Sequence, residues 1–113
     1  MSQRIAIATT YGEFVDTHFG RARQFTIMDV DGAGCRFIDT RQVEPACVDF
    51  DHSQERFDTI LNVLSDCESV FVSRIGFGAA RYLASKGFKV FETPYLIEDV
   101  MTKLVAGESL EEL

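Results

Sequence analysis

The residues with the most distinctive chemistry form one short segment, Asp-Thr-His-Phe-Gly-Arg-Ala, at positions 16–22. A neutral imidazole such as that of His18 is a good ligand for iron, copper or zinc, and the guanidinium of Arg21 suits an anionic partner. The segment therefore predicts a loop that can hold an anionic, metal-containing group. The alternative is an ordinary loop histidine followed by Gly20, which would only supply a tight turn.

A second candidate site is the pair of glycines Gly76 and Gly78, which follow a predicted strand and open a predicted helix. Backbone N–H groups and the helix dipole bind anions at such a position. As a dinucleotide fingerprint the pair is weak because Arg81 takes the place of the third glycine, although Glu92 stands roughly where a ribose-binding acid would. Close packing of the helix on the strand is the structural alternative.

The three cysteines are widely spaced and odd in number, which suits free thiols in a reducing compartment. Cys47 lies in a polar connection near His52, and both are candidates for a further metal ligand. Cys67 precedes a buried strand and Cys35 lies in a predicted outer strand, so both are interpreted as small core residues. The absence of a CxxC pair argues against a complete four-ligand zinc or iron–sulfur site built by one chain.

Composition narrows the class of protein. The chain has 113 residues, of which 46% are hydrophobic and 26% charged, as expected for one globular domain spanning residues 1–113. We find neither an apolar run long enough for a membrane span nor a signal-peptide pattern, and therefore expect a cytoplasmic protein without a membrane partner. The net charge of −7 argues against nucleic acid as a partner.

Five strands and three helices are predicted to carry these residues. An apolar strand at 4–9 should be central in the sheet, and strands at 24–30 and 35–43 should form a hairpin around the turn at 31–34. We assign Asp29 to Gly32 to that turn because most ligands of a calcium loop are missing. Two further strands are expected at 69–73 and 88–91, and the apolar faces of two helices are marked by Phe57, Ile60, Leu61, Leu64 and by Leu96, Ile97, Val100, Met101, Leu104.

The remaining helix should begin after Gly76 and end at Gly87, a C-cap glycine, while Asp51 or Ser53 should cap the first helix. The element order predicts an α/β fold with a mixed five-stranded sheet, an antiparallel hairpin at one side and three helices. Ligands of such sheets bind beyond the carboxyl ends of the parallel strands, so the loops of His18 and Arg74 should be neighbours. The first strand lacks the carboxylate that a metal-dependent nuclease of ribonuclease H type needs.

Three segments together resemble the dinitrogenase iron-molybdenum cofactor biosynthesis family. They are the opening strand at 4–9, the loop at 15–22 followed by Phe25, and residues 64–70 leading into 74–79. The run at 83–91 fits as well, so the resemblance covers nearly the whole chain. It implies a ribonuclease H-like three-layer α/β fold without nuclease chemistry, and a non-enzymatic protein that binds or carries an iron–sulfur or iron–molybdenum cofactor or its precursor.

The resemblance also implies roles for individual residues. His18 matches the cofactor-binding histidine of the family, and we expect Phe19 to shield the bound group and Arg21 and Arg74 to balance its charge. Gly20, Gly76 and Gly78 complete the candidate cofactor-binding set, and Cys47 joins His18 as a candidate metal ligand. The expected partners are the cluster cargo and a donor or acceptor protein in cofactor assembly, and the expected state is a monomer or weak homodimer.

Two other classes of function remain open from the sequence. One is a small regulatory module that binds a nucleotide or another anion at the turn between Gly76 and Gly78. The other is an interaction domain whose acidic surface docks a partner protein. Replacing His18 should abolish binding only if the cofactor carrier is correct.

Overall fold

The computed structural model describes residues 2–45, 47–48, 51–52, 54–108, 110 and 112. The strands are β1 Gln3–Ala8, β2 Gln24–Asp31, β3 Gly34–Gln42, β4 Cys47–Val48, β5 Asp51–His52, β6 Ser69–Val72 and β7 Lys89–Glu92. The helices are α1 Gln54–Val63, α2 Phe77–Ser85 and α3 Ile97–Val105, and a 3-10 turn spans Phe19–Arg21. All five predicted strands and three predicted helices are confirmed. The antiparallel pair β4 and β5 was not predicted, because strands of two residues are too short to show a periodic pattern.

The main sheet has the order β3-β2-β1-β6-β7, which confirms the mixed five-stranded sheet with a hairpin at one side. β1 is central, antiparallel to β2 and parallel to β6, and β6 is parallel to β7. A central strand is covered on both faces, which explains why the last four residues of β1 are all apolar and buried. The ribonuclease H-like assignment stays a prediction.

Three layers follow from the alternation of side chains along β1. Ala6 and Ala8 face the core that α1 and α2 close, while Ile5 and Ile7 face the core that α3 closes. The residues of α1 and α2 in the first core are Ile60, Leu61, Leu64 and Leu83, and those of α3 in the second are Ile97, Val100 and Met101. The predicted apolar faces of the helices therefore point at the sheet.

Local interactions confirm the predicted hairpin turn and the predicted end of α2. The Asp31 carboxylate accepts hydrogen bonds from the N–H groups of Ala33 (2.8 Å) and Gly34 (3.1 Å), so the segment is a hairpin turn as predicted. Gly87 has a φ of +93°, which confirms it as the C-cap glycine of α2. The predicted capping residues of α1 are Asp51 and Ser53, and the side chain of Asp51 and all of Ser53 lie outside the described residues.

A bulge interrupts the pairing of β2 with the outermost strand β3. Ile27 lies opposite Asp39 and Met28 lies opposite Phe37, so Ile38 is an extra residue on β3. Bulges of this kind bend a strand and increase its twist. The outer side of β3 is therefore not a flat template for another strand.

The edge of the sheet at the amino ends of the parallel strands carries an ion-pair network. Asp66 accepts hydrogen bonds from Arg4 (Nη1, 2.8 Å) and Arg41 (Nη2, 3.0 Å), and Arg4 also binds Asp29 (2.8 Å). The guanidinium groups of Arg41 and Arg4 hold the pKa of Asp66 well below its usual range. The network ties β1, β2 and β3 to the end of α1.

Candidate functional site

The loops after β1, β6 and β7 form the edge that we call the carboxyl edge, and the His18 loop is clamped there to the end of β6. The Phe19 N–H donates to the Arg74 carbonyl (2.9 Å), and the Ser73 N–H donates to the Thr17 carbonyl (3.1 Å). These bonds form a parallel bridge between His18 and Arg74. The prediction that the two loops are neighbours is confirmed, and the exposed side chains of His18 and Arg74 share one surface.

Phe19 anchors this loop in the core. Its side chain is 0% exposed, its ring stacks on Phe57 with centroids 5.9 Å apart, and it tilts against Phe25 at 6.1 Å. The prediction that Phe19 shields a bound group is therefore wrong, because its ring points away from the surface on which His18 lies. Because Phe19 is packed in the core, the backbone of its neighbour His18 has little freedom to move.

The 3-10 turn places Arg21 outside. The Arg21 N–H donates to the His18 carbonyl (3.0 Å), and the Ala22 N–H donates to the Phe19 carbonyl (3.3 Å). Gly20 is the middle residue of this turn, and Ala22 returns to the core. Arg21 is exposed beside the exposed His18, as a site for an anion requires.

A polar cluster holds the beginning of the loop. The Asp16 carboxylate accepts from the Thr10 N–H (2.9 Å) and from the Thr17 hydroxyl (2.7 Å), and the Gln24 amide donates to the Thr10 carbonyl (3.0 Å). Asp16 and Thr17 belong to the segment 16–22 that is distinctive in the sequence. No sequence pattern predicts that Thr10 and Gln24 join them across the loop. The cluster joins the two ends of the loop before the chain enters β2.

Glu92 fixes the turn that carries Arg74. Its carboxylate Oε2 accepts a hydrogen bond from the Ile75 N–H at 2.9 Å. The sequence places Glu92 roughly where a ribose-binding acid would stand, whereas in the structure its carboxylate fixes the turn that carries Arg74. The sequence contains no signal for this bond, since the two residues are on different elements.

The glycines at the start of α2 are not explained by packing. Gly76, the N-cap residue, has φ −67° and makes no side-chain cap, and a Cβ placed on Gly76 or Gly78 would meet no heavy atom within 4 Å. The interpretation that these glycines permit close packing of helix on strand is wrong. Without a side-chain cap, the first N–H groups of α2 are open to an anion or to water.

The carboxyl edge is rich in arginines that lack an acidic partner. Arg21, Arg23, Arg74 and Arg81 are exposed, and no carboxylate of the described residues makes an ion pair with any of them. The ion pairs of the described chain instead involve Arg4, Arg36 and Arg41. The same edge carries the acidic residues Glu13, Asp16 and Glu92, so positive and negative charges are interspersed around His18.

The cysteines divide by position. Cys67 is buried, and desolvation raises the pKa of its thiol to about 12, which fits the predicted core role. Cys35 is exposed, so its predicted core role is wrong; it lies opposite Val30 on the outermost strand. Cys47 pairs with His52 between β4 and β5, and β4 contacts the 3-10 turn, but a ligand role for Cys47 stays a prediction.

Among the described residues, no three His, Cys, Asp or Glu side chains gather closely enough to hold a metal ion by themselves.

No described helix combines the length and the apolar character needed to cross a bilayer.

The structure is that of a small α/β protein with helices on both faces of one mixed sheet, and His18 and Arg74 are exposed side by side at the carboxyl edge of that sheet. The chain belongs to the dinitrogenase iron-molybdenum cofactor family, whose sequence profile matches residues 1–107.

Named relatives agree with this membership. The FeMo cofactor biosynthesis protein NifB of Frankia alni is 33% identical over 105 residues, which are 90% of this chain and 20% of the relative. The protein NifX of Rhodobacter capsulatus is 33% identical over 87 residues, 74% of this chain and 55% of the relative. The chain thus spans about a fifth of the matched NifB and about half of the matched NifX.

A solved structure shows the same fold. The apo form of the orange protein from Desulfovibrio gigas superposes with a TM-score of 0.61 at 21% identity, and the match covers 98% of this chain and 92% of that one.

Proposed function

We propose that this chain binds an iron–sulfur or iron–molybdenum cofactor, or a precursor of one, as cargo and releases it to another protein without a catalytic step of its own. The observation that carries the proposal is the clamped His18. The N–H of the next residue, Phe19, donates to the Arg74 carbonyl (2.9 Å), while His18 itself stays exposed. Membership of the cofactor family, and relatives named for FeMo cofactor biosynthesis, support the choice of cargo.

The chemistry of the site suits a carrier. A neutral imidazole nitrogen donates a lone pair to a metal atom of the cargo, and Arg21 and Arg74 offset the negative charge of a metal–sulfur cluster. A fully thiolate-ligated cluster is held as a permanent group, whereas a single imidazole and surface charges give a bond that another protein can compete for.

A second candidate function is binding of a nucleotide or small anion at the start of α2. The open space around Gly76 and Gly78 and the uncapped N-terminus favour it. This site uses backbone N–H groups, so it does not depend on the imidazole of His18.

Anaerobic titration with isolated iron–molybdenum cofactor, followed by gel filtration and iron analysis, tests the carrier function. We expect the natural protein to retain iron and the His18→Ala variant to lose most of it, because the variant removes the donor atom while the exposed position leaves the core intact. Retention of equal iron by His18→Ala, or none by the natural protein, would contradict the carrier function. Nucleotide binding that survives His18→Ala would then favour the second candidate.

The contribution of charge is tested by a matched pair of arginine variants. Arg21→Ala should weaken cofactor binding by up to about fivefold, since exposed charge pairs contribute up to about 1 kcal/mol. Arg36→Ala removes the same charge from β3, where the side chain is 77% exposed and contacts Asp29. Binding should be nearly unchanged in this control. Equal weakening in both variants would show that only net charge matters.

A further inference from the structure

Three sulfur-bearing side chains line one groove on the face of the sheet that α3 covers. The groove lies between α3 and the hairpin of β2 and β3, and Met28, Cys35 and Met101 all line it. Cys35 is exposed, Met28 is partly exposed, and Met101 is 4% exposed. The thiol is therefore the most accessible sulfur of the three, and the thioethers lie deeper.

The register of the hairpin brings these side chains to the same side of the sheet. Cys35 lies opposite Val30, two residues along β2 from Met28. Opposed residues of antiparallel strands share a face, and both Met28 and Val30 pack into the core beneath α3, so Cys35 also faces α3. Cys35 is thus the diagonal neighbour of Met28, at a typical spacing of about 7–8 Å.

The methionines can adjust to a shared ligand. Met101 packs into the same core as Met28, from the α3 side of the groove. A methionine side chain is unbranched and has three rotatable bonds, so its sulfur can move toward a neighbouring group at small cost. One thiol and two thioethers can therefore converge on a single ion.

The other groups of the groove favour a soft cation. Glu13 and Glu98 line it as well, both are exposed, and neither takes part in an ion pair of the described chain. Their carboxylates attract a positive ion. Thiolate and thioether ligands select Cu(I), whereas zinc and harder ions prefer sets of imidazole, thiolate and carboxylate groups. The described residues gather no such set of three here.

We propose that Met28, Cys35 and Met101 form a binding site for Cu(I), with the Cys35 thiolate and two thioether sulfurs as ligands. The thiol releases its proton to the solvent when the ion binds, so the thiolate charge offsets that of Cu(I). Ile97 and Val105 also line the groove and limit the access of water to the bound ion. The site does not use His18, so it is independent of the carrier function.

Anaerobic titration of the full chain with Cu(I), in competition with the chelator bicinchoninate, tests this proposal. We expect Cys35→Ser to weaken Cu(I) binding at least about hundredfold, because it removes the thiolate. Met28→Leu and Met101→Leu nearly keep the side-chain volume, and each should weaken binding about tenfold. No binding by the natural protein, or unchanged affinity in Cys35→Ser or in both methionine variants, would overturn the proposal.

Three controls show whether the groove itself binds the ion. Cys67→Ala removes a buried thiol from outside the groove, and His18→Ala removes the exposed imidazole; each should bind Cu(I) within about twofold of the natural protein. Zn²⁺ in equal amount should not displace Cu(I). Loss of Cu(I) binding in either variant, or displacement by Zn²⁺, would overturn the site.

Cofactor retention distinguishes this site from the carrier function. Cys35→Ser should retain iron from isolated iron–molybdenum cofactor like the natural protein, because its change lies in the α3 groove. A natural protein that binds Cu(I) through Cys35 but retains no iron would overturn the carrier function and leave the Cu(I) site standing.

Discussion

Glu92 is an acidic residue at the edge that we propose binds an anion, and its carboxylate is engaged in fixing the Arg74 turn. The carboxylate accepts from the Ile75 N–H at 2.9 Å, next to the residue whose carbonyl holds the Phe19 N–H. Glu92 therefore acts on His18 through two backbone bonds. A negative charge there also interacts favourably with the N-terminus of α2.

We predict that Glu92→Ala weakens cofactor binding by about three- to tenfold, since it removes the acceptor of a part-buried N–H and loosens the Arg74 turn. Glu92→Gln keeps an acceptor oxygen of the same reach and should bind within about twofold of the natural protein. Absorption titration gives the affinities, and circular dichroism checks that both variants are folded. Equal loss in both variants would show that the charge of Glu92 acts, and would contradict a positioning role.

At the level of single residues, the sequence predicted positions better than orientations. The neighbourhood of His18 and Arg74 followed from the rule that loops at the carboxyl ends of parallel strands meet. The burial of Phe19 did not follow, because an aromatic beside a loop histidine is equally compatible with a surface wall and a core anchor. The bond between Glu92 and Ile75 joins residues from two loops, and no periodicity reports such a contact.

At the level of elements, the glycines of α2 differ in what the backbone demands of them. Gly78 has open space around its Cβ position, whereas Gly87 has a φ of +93°. We predict that Gly78→Ala stabilises the protein by about 0.5–1 kcal/mol, because alanine restricts the unfolded chain and favours the helix.

The companion variant Gly87→Ala should instead destabilise the protein by about 1–2 kcal/mol, since an L-residue is strained in the left-handed region. Urea denaturation of both variants measures the difference. A destabilising effect of Gly78→Ala would contradict the prediction.

Elements with a strong period were predicted closely, and short ones were not. Phe57, Ile60 and Leu64 repeat with helical spacing, and the last four residues of β1 are all apolar, so both elements were evident from the sequence. The pair of strands β4 and β5 has two residues on each side, and tertiary contacts with the 3-10 turn rather than local pattern give it its place. The exposure of Cys35 likewise depends on how far α3 covers the outermost strand, which no local pattern reports.

At the scale of the whole molecule, stability and binding occupy opposite edges of the sheet. Asp66, bound by Arg41 and Arg4, has a pKa well below its usual range in the folded protein. An unfolded aspartate titrates near about 3.9, so the ion pairs stabilise the fold above that pH, and the stabilisation is lost as the pH falls through the lower folded pKa.

We therefore predict that Asp66→Asn lowers the free energy of unfolding at pH 7 and makes the protein less sensitive to acidification below about pH 4. Cofactor retention should be unchanged, because the network is at the amino ends of the parallel strands. Asp39→Asn is the control, since Asp39 contacts only Arg41 among the described ion pairs, at 3.2 Å. Denaturant titrations at several pH values measure the free energy of unfolding, and iron analysis after gel filtration measures cofactor retention. Loss of cofactor retention together with loss of stability in Asp66→Asn would contradict the prediction.

The bulge at Ile38 affects whether further chains can add strands to the main sheet. Because β3 is bent and β7 has only four residues, neither outer strand of the main sheet is a good template on which a further chain could continue the ladder. Growth by strand addition, which would generate open filaments, is thereby discouraged.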